Sequence, residues 1–242
     1  MSAVSYGAKP VIKPYYSDKW VTIFHGDCRE ILPQLDVKVD LVLTDPPYGT
    51  KSKRTGILTE NRLQYKDNGV TKETFEILAS ASRAIVILSD WHNTHNYAIA
   101  IEDCGQAKWG EIIWEYTWIS GYKSKTKFKI PYIHNTIQLF GNIEWQNQRL
   151  SSIWKGSGLW SPKTLRGTKT FGHPDEKPVG LFTELLKCLF SSKTILDPFT
   201  GSGSILVAAK KLNRYSIGIE IEEKYCEIAA KRCSQSVMEL NI

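Results

Sequence analysis

The 242-residue chain has no apolar run long enough to cross a membrane. Its longest strand-like apolar stretch, Ala84 to Leu88, falls far short of the roughly 20 residues that a spanning helix needs. Residues 1–20 hold no continuous apolar core, so no secretory signal is expected. None of the five cysteines (Cys28, Cys104, Cys188, Cys226, Cys233) belongs to a CxxC pair; reduced thiols in a cytoplasmic protein are the expectation. With no HExxH pattern either, no metal site is expected. A glycine–lysine phosphate loop is missing, and so is the third glycine of the dinucleotide fingerprint, where Leu206 stands. None of the ten prolines precedes a cysteine. Acid is scarce in one quarter of the chain: from Tyr116 to Pro174 the only carboxylate is Glu144.

That scarcity locates the charge. The same stretch carries Lys123, Lys125, Lys127, Lys129, Arg149, Lys155, Lys163, Arg166 and Lys169, a local balance of +8. The whole chain is +6, so the remainder is about −2. Such an excess, confined to one segment, points to a polyanion partner rather than to general solubility. Hydrophobic content of 42% with 23% charged residues fits a globular chain with one full core.

Apolar runs and turn signals predict alternating elements. Strands are expected at Val21–His25, Val39–Thr44, Ala84–Leu88, Glu111–Tyr116, Thr136–Phe140, Thr194–Leu196 and Ser216–Ile221. Helices are expected at Cys28–Leu35, Glu73–Ser82, Thr94–Asp103, Pro178–Phe190, Ser204–Leu212 and Glu223–Arg232. Residues 1–20 read as a loose arm. The alternation predicts a doubly wound, mostly parallel α/β sheet.

Two loops follow such strands, where open α/β sheets place their ligands. The first is Asp45-Pro46-Pro47-Tyr48. Its prolines fix φ and remove two donors, leaving carbonyls free to accept. Asp45 adds an acceptor, and Tyr48 a flat face for stacking. Two acceptors converging on one amino group suit a planar amino-bearing base, which must leave its duplex to enter. A strand-ending turn with a capping aspartate is the competing reading. The second loop is Asp197-Pro198-Phe199-Thr200-Gly201-Ser202-Gly203, opening a helix at Ser204. Its glycines permit a tight turn and close ligand approach. Asp197 suits a cationic ligand group, and Glu220, at the end of the next strand, is placed to bond ribose hydroxyls. A nucleoside with an amino-acid tail fits this pattern.

With these loops in view, the chain resembles the S-adenosylmethionine-dependent DNA amino-methyltransferases from about Val21 to Arg232. The matching segments are Phe24-His25-Gly26-Asp27-Cys28, Asp45 to Tyr48, His173-Pro174-Asp175-Glu176-Lys177-Pro178, Asp197 to Gly203, and Ile217-Gly218-Ile219-Glu220. The resemblance implies a Rossmann-like methyltransferase sheet, mostly parallel with one antiparallel strand. The base-binding motif precedes the glycine motif, which in this family marks the circularly permuted β arrangement. It implies S-adenosylmethionine as cofactor, bound by Asp27, Cys28, His173, Lys177, Asp197, Phe199, Gly201, Gly203, Ser204 and Glu220. Asp45, Pro46, Pro47 and Tyr48 are the implied catalytic group. No cysteine nucleophile is needed, and the missing Pro-Cys pair argues against carbon-5 cytosine chemistry. Aspartate at the first motif position favours the 6-amino group of adenine. The 4-amino group of cytosine and an inactive DNA-binding module are the alternatives.

The resemblance also divides the chain. Residues 21–140 form a catalytic half, 141–172 a small basic target-recognition region, and 173–242 a cofactor-binding half. Duplex DNA with a flipped base is the expected partner. Lys123, Lys125, Lys127 and Lys129, spaced by two, share one side of an extended segment and read as a phosphate rail. Lys51, Lys53 and Arg54 follow the catalytic loop, and Lys155, Lys163, Arg166 and Lys169 complete the basic set. Trp145, Trp154 and Trp160 read as core of a small lobe. A homodimer and a cognate restriction nuclease are open as further partners.

Overall fold

The computed structural model describes residues 12–47, 70–90, 93–115, 134–146, 153–155 and 176–235. Among these residues nine strands form one sheet: β1 (Tyr16–Ser17), β2 (Val21–His25), β3 (Val39–Thr44), β4 (Ser82–Ser89), β5 (Lys108–Glu115), β6 (His134–Gly141), β7 (Ile153–Lys155), β8 (Thr194–Asp197) and β9 (Tyr215–Glu220). The described helices are α1 (Cys28–Leu35), α2 (Lys72–Ala81), α3 (Thr94–Asp103), α4 (Val179–Cys188), α5 (Ser204–Lys211) and α6 (Glu223–Gln235).

Strand order is β1-β2-β9-β8-β3-β4-β6-β5-β7. The five strands from β2 to β4 run parallel, and β6 is the expected reversed strand. The two-residue β1 is a second reversed strand, at the edge beside β2. Period-two alternation sends side chains to opposite faces. Leu41, Leu43, Val86 and Leu88 pack with Phe182, Leu185, Ile205 and Ala208 of α4 and α5. Val42, Ile85 and Ile87 pack with Ile31, Phe75, Leu78 and Ile101 of α1, α2 and α3. A third cluster joins Val21 and Ile23 to Cys226, Ala229 and Cys233 of α6. Both faces of the sheet are therefore covered, as a parallel sheet requires.

Two expectations shift. β4 and β5 begin earlier than their apolar runs, because the hydrogen-bond ladders to β3 and β6 continue past them. Residues 15–20 are not loose. β1 pairs with β2, Asp18 accepts from the backbone of Trp20 and Val21, and the buried Lys210 ammonium bonds the Asp18 carboxylate. A two-residue strand is too short to show a period in sequence.

Candidate active site

The chain runs from β3 outward to β4 and from β8 outward, the other way, to β9. β3 and β8 are themselves neighbours, so the point where the order reverses lies between them. A doubly wound sheet opens its ligand crevice there. Asp45 follows β3 and Asp197 ends β8, so the two loops singled out in the sequence are adjacent. A side-chain bond joins their strands: Thr44 Oγ1 donates to Asp197 Oδ1 at 2.9 Å.

Asp197 is 1% exposed. Burial pushes its carboxyl up to about 7; Asp45 and Glu220 push the same way, against the bonds donated by Thr44 and the Phe199 backbone. Glu220 is held at both oxygens. Gly201 N–H donates to Oε2 at 2.7 Å, and Glu222 N–H to Oε1 at 2.9 Å. Three carboxylates thus gather at the ends of adjacent strands, an arrangement that repels phosphate and suits a cation. This donor set fits S-adenosylmethionine, which carries positive charge and ribose hydroxyls but no phosphate.

The turn between β8 and α5 needs its glycines. Gly201 has φ 51° and Gly203 φ 79°, both in the left-handed region. At Gly203 there is a second reason, absent from the sequence argument. A Cβ there would sit 2.9 Å from that of Ala229 on α6, so glycine also permits close packing behind the turn.

Lys177 Nζ donates to Asp45 Oδ2 at 2.6 Å, with both side chains largely covered. The Lys177 carbonyl accepts from Ser204 Oγ at 2.7 Å, so the segment before α4 touches both loops. Tyr97 of α3, almost wholly buried, reaches the Pro47 carbonyl with its hydroxyl at 3.4 Å.

At the end of β2, Gly26 N–H donates to the Glu220 carbonyl at 2.9 Å. Asp27 caps α1 by accepting from Arg29 N–H, and the Arg29 guanidinium bonds the same carboxylate, holding its pKa below the usual range. Cys28 lies in the core beside Ile31 and Leu32; burial pushes its thiol up to about 12.

Bonds and strand neighbours therefore bring together Asp27, Asp45, Lys177, Asp197, Gly201, Ser204 and Glu220; Gly203 caps α5, and Phe199 packs against the core. Tyr48, Lys51, Lys53, Arg54, Lys123, Lys125, Lys127, Lys129, Lys163, Arg166, Lys169, Trp160 and His173 lie outside the described residues. Lys155 ends β7, paired by backbone with Glu115. Trp154 is buried in the main core, and Trp145 packs against it. Sequence reasoning missed Thr44, Tyr97, Glu176 and Arg232. For Thr44 the signal was a lone hydroxyl ending an aliphatic strand, directly before Asp45.

A doubly wound sheet whose carboxylate-bearing loops meet at the reversal of strand order has the crevice in which such folds place nucleotide-like ligands. The family described as DNA methylase, covering N6 and N4 methyltransferases, matches residues 39–231. The chain belongs to this family of S-adenosylmethionine-dependent DNA amino-methyltransferases. The type II methyltransferase M.ScaI of Streptomyces caespitosus is 26% identical over 270 residues, covering 96% of this chain and 87% of that one. M2.DpnII of Streptococcus pneumoniae is 25% identical, with 94% of each covered. The crystal structure of the M1.HpyAVI–SAM complex has a TM-score of 0.68 at 23% identity, covering 88% of this chain and 98% of that one. The cytosine-N4-specific PvuII DNA methyltransferase reaches the same TM-score at 17% identity, covering 96% and 91%.

Proposed function

We propose that the chain methylates the 6-amino group of adenine at a specific site in DNA. The observation that carries transfer to a base amino group is the adjacency of Asp45 and Asp197 at the reversal of strand order, bridged by Thr44; aspartate at the first position of the Asp45-Pro46-Pro47-Tyr48 motif is what favours adenine. The adjacency sets an amine-accepting loop against a cation-suited turn. Asp45 and the Pro46 carbonyl accept from the amino group and turn its lone pair toward the donor loop. Pro47 stiffens the loop, and Tyr48 stacks on the flipped base. S-adenosylmethionine, when bound, supplies an electrophilic methyl group. Asp197, Phe199, Gly201, Gly203 and Ser204 would hold its amino-acid end, Glu220 its ribose, and Asp27 and Cys28 its adenine, with His173 and Lys177 covering it. Holding both partners in line supplies much of the rate.

The basic segment fits a DNA-facing role. Lys51, Lys53, Arg54 and the set from Lys123 to Lys169 contact phosphates, which position the duplex without specifying sequence. Residues 141–172 supply target recognition. Among the described residues no helix is long and apolar enough to cross a membrane. We place the enzyme in the cytoplasm, with a homodimer and a cognate restriction nuclease as candidate partners.

A second reading, transfer to the 4-amino group of cytosine, is compatible with the family, which covers N6 and N4 methyltransferases, and with the shared fold of the cytosine-N4-specific PvuII enzyme. Incubation with labelled S-adenosylmethionine and mixed-sequence DNA, followed by nucleoside analysis, separates the two. N6-methyladenine is expected. Methylcytosine as the sole product overturns the adenine assignment. Cofactor binding with no methyl incorporation marks an inactive DNA-binding module.

A further inference from the structure

Glu176 and Arg232 form an ion pair at 2.9 Å, and both side chains are more than nine-tenths buried. Arg232 lies on α6. Its Nη1 donates to the Ser202 carbonyl and to Ser202 Oγ, each at 2.7 Å, and approaches Ser204 Oγ at 3.2 Å. Ser204 Oγ bonds the Lys177 carbonyl, and Lys177 Nζ bonds Asp45. One guanidinium therefore underlies a continuous route: Glu176, Arg232, Ser202 and Ser204, Lys177, Asp45. The route spans the donor loop, the segment before α4 and the acceptor loop.

A buried ion pair is an expensive way to hold a helix. Packed apolar side chains of similar volume stabilise as well or better. What the guanidinium adds is direction, because its rigid planar fork fixes several acceptors at once. Here those acceptors are the backbone and hydroxyl of the glycine turn on one side and Glu176 on the other. The apolar packing of α6 is supplied by Cys226, Ala229 and Cys233.

We propose that Arg232 and Glu176 are positioning residues for methyl transfer. The pair locks residues 176–178 onto the glycine turn, and that registration places the Lys177 ammonium on Asp45. Donor and acceptor loops are thereby held in one register. This inference rests on the reading of these loops given above.

The test uses the full chain with Glu176→Gln, Arg232→Lys and Arg232→Met, well below their melting temperatures. Glu176→Gln keeps an acceptor and loses the charge; Arg232→Lys keeps the charge and loses the fork. Glu176→Gln and Arg232→Lys are each expected to weaken S-adenosylmethionine binding, read by calorimetry, by about tenfold, the worth of one charge-assisted hydrogen bond, and Arg232→Met by more. Turnover falls as well, while the KM for DNA stays within about twofold of wild type. Arg232→Lys is expected to recover part of what Arg232→Met loses; if the methionine variant does not fold, the other two carry the test. A merely structural pair would lower the melting temperature and leave cofactor affinity and turnover of the folded protein at wild-type values, which overturns the proposal. A wild-type chain that binds no S-adenosylmethionine would instead sink the reading of the site, and this inference with it.

Discussion

Lys177 and Asp45 stand 132 residues apart in the chain and meet at 2.6 Å. The contact joins the segment before α4 to the loop after β3.

Asp45→Ala is expected to abolish methyl transfer and leave cofactor binding near wild type. Lys177→Met, which removes the charged bond to the carboxylate, is expected to lower turnover about a hundredfold. Single-turnover kinetics alongside calorimetric cofactor titration check both. Equal loss of binding and transfer in Asp45→Ala would mean that the acceptor site lies elsewhere.

Asp197 makes stability depend on pH in a defined direction. Its folded pKa is raised to about 7, whereas an unfolded aspartate titrates near 3.9. Between these values the native state holds a proton that the unfolded state lacks. Its contribution is therefore full below pH ~4, lost as pH rises to about 7, and flat above. Asp197→Asn should remove that slope, and Thr44→Val, by deleting a donor to the carboxylate, should move its midpoint upward. Urea titrations from pH 5 to 8 read both. A cationic cofactor favours the ionised carboxylate, so its affinity should rise with pH through the same window. An affinity that falls across it counts against Asp197 as the cation's partner.

Gly203→Ala combines a left-handed φ with a Cβ at 2.9 Å from Ala229. The expected loss is about 2–4 kcal/mol of stability, together with cofactor binding. Adding Ala229→Gly removes the closest contact and leaves the Cα at 3.1 Å, so the double variant should be more stable than the sum of the two single losses. Strict additivity in denaturant unfolding would show that packing against α6 is not the cause.

Lys210→Met leaves the Asp18 carboxylate, in the turn between β1 and β2, without its ammonium. A loss of about 3 kcal/mol is expected, with methyl transfer by the folded enzyme unchanged because the contact lies away from the crevice. Reduced turnover at full folding would assign the N-terminal segment a part in the reaction.

The alternation of apolar runs and turns made most of the sheet legible. α1 and α3 end where Leu35 and Asp103 predict, and β3 spans its whole apolar run. β1 and β7 were not legible as strands, since two or three residues carry no period. Gly201 and Gly203 announced a turn. The role of Gly203 against Ala229 could not be read, because close approach of two remote backbones leaves no mark at either position.

Residue types and their order along the chain determined the chemistry of this protein. Asp45-Pro46-Pro47-Tyr48 can accept an amine, Asp197 to Gly203 can turn tightly beside a cation, and the acid-poor segment can meet a polyanion. These are properties of local covalent structure and charge, which the chain carries unfolded. Only the tertiary structure decided that β3 and β8 are neighbours, that Thr44 bridges to Asp197, and that Lys177 grips Asp45 while Arg232 underlies the glycine turn. Each of these depends on strand order and on helices folding back across the sheet. Burial then gave the contacts their strength, pushing Asp197 up and enclosing the Glu176–Arg232 pair, because a charge loses its water only when the fold closes over it.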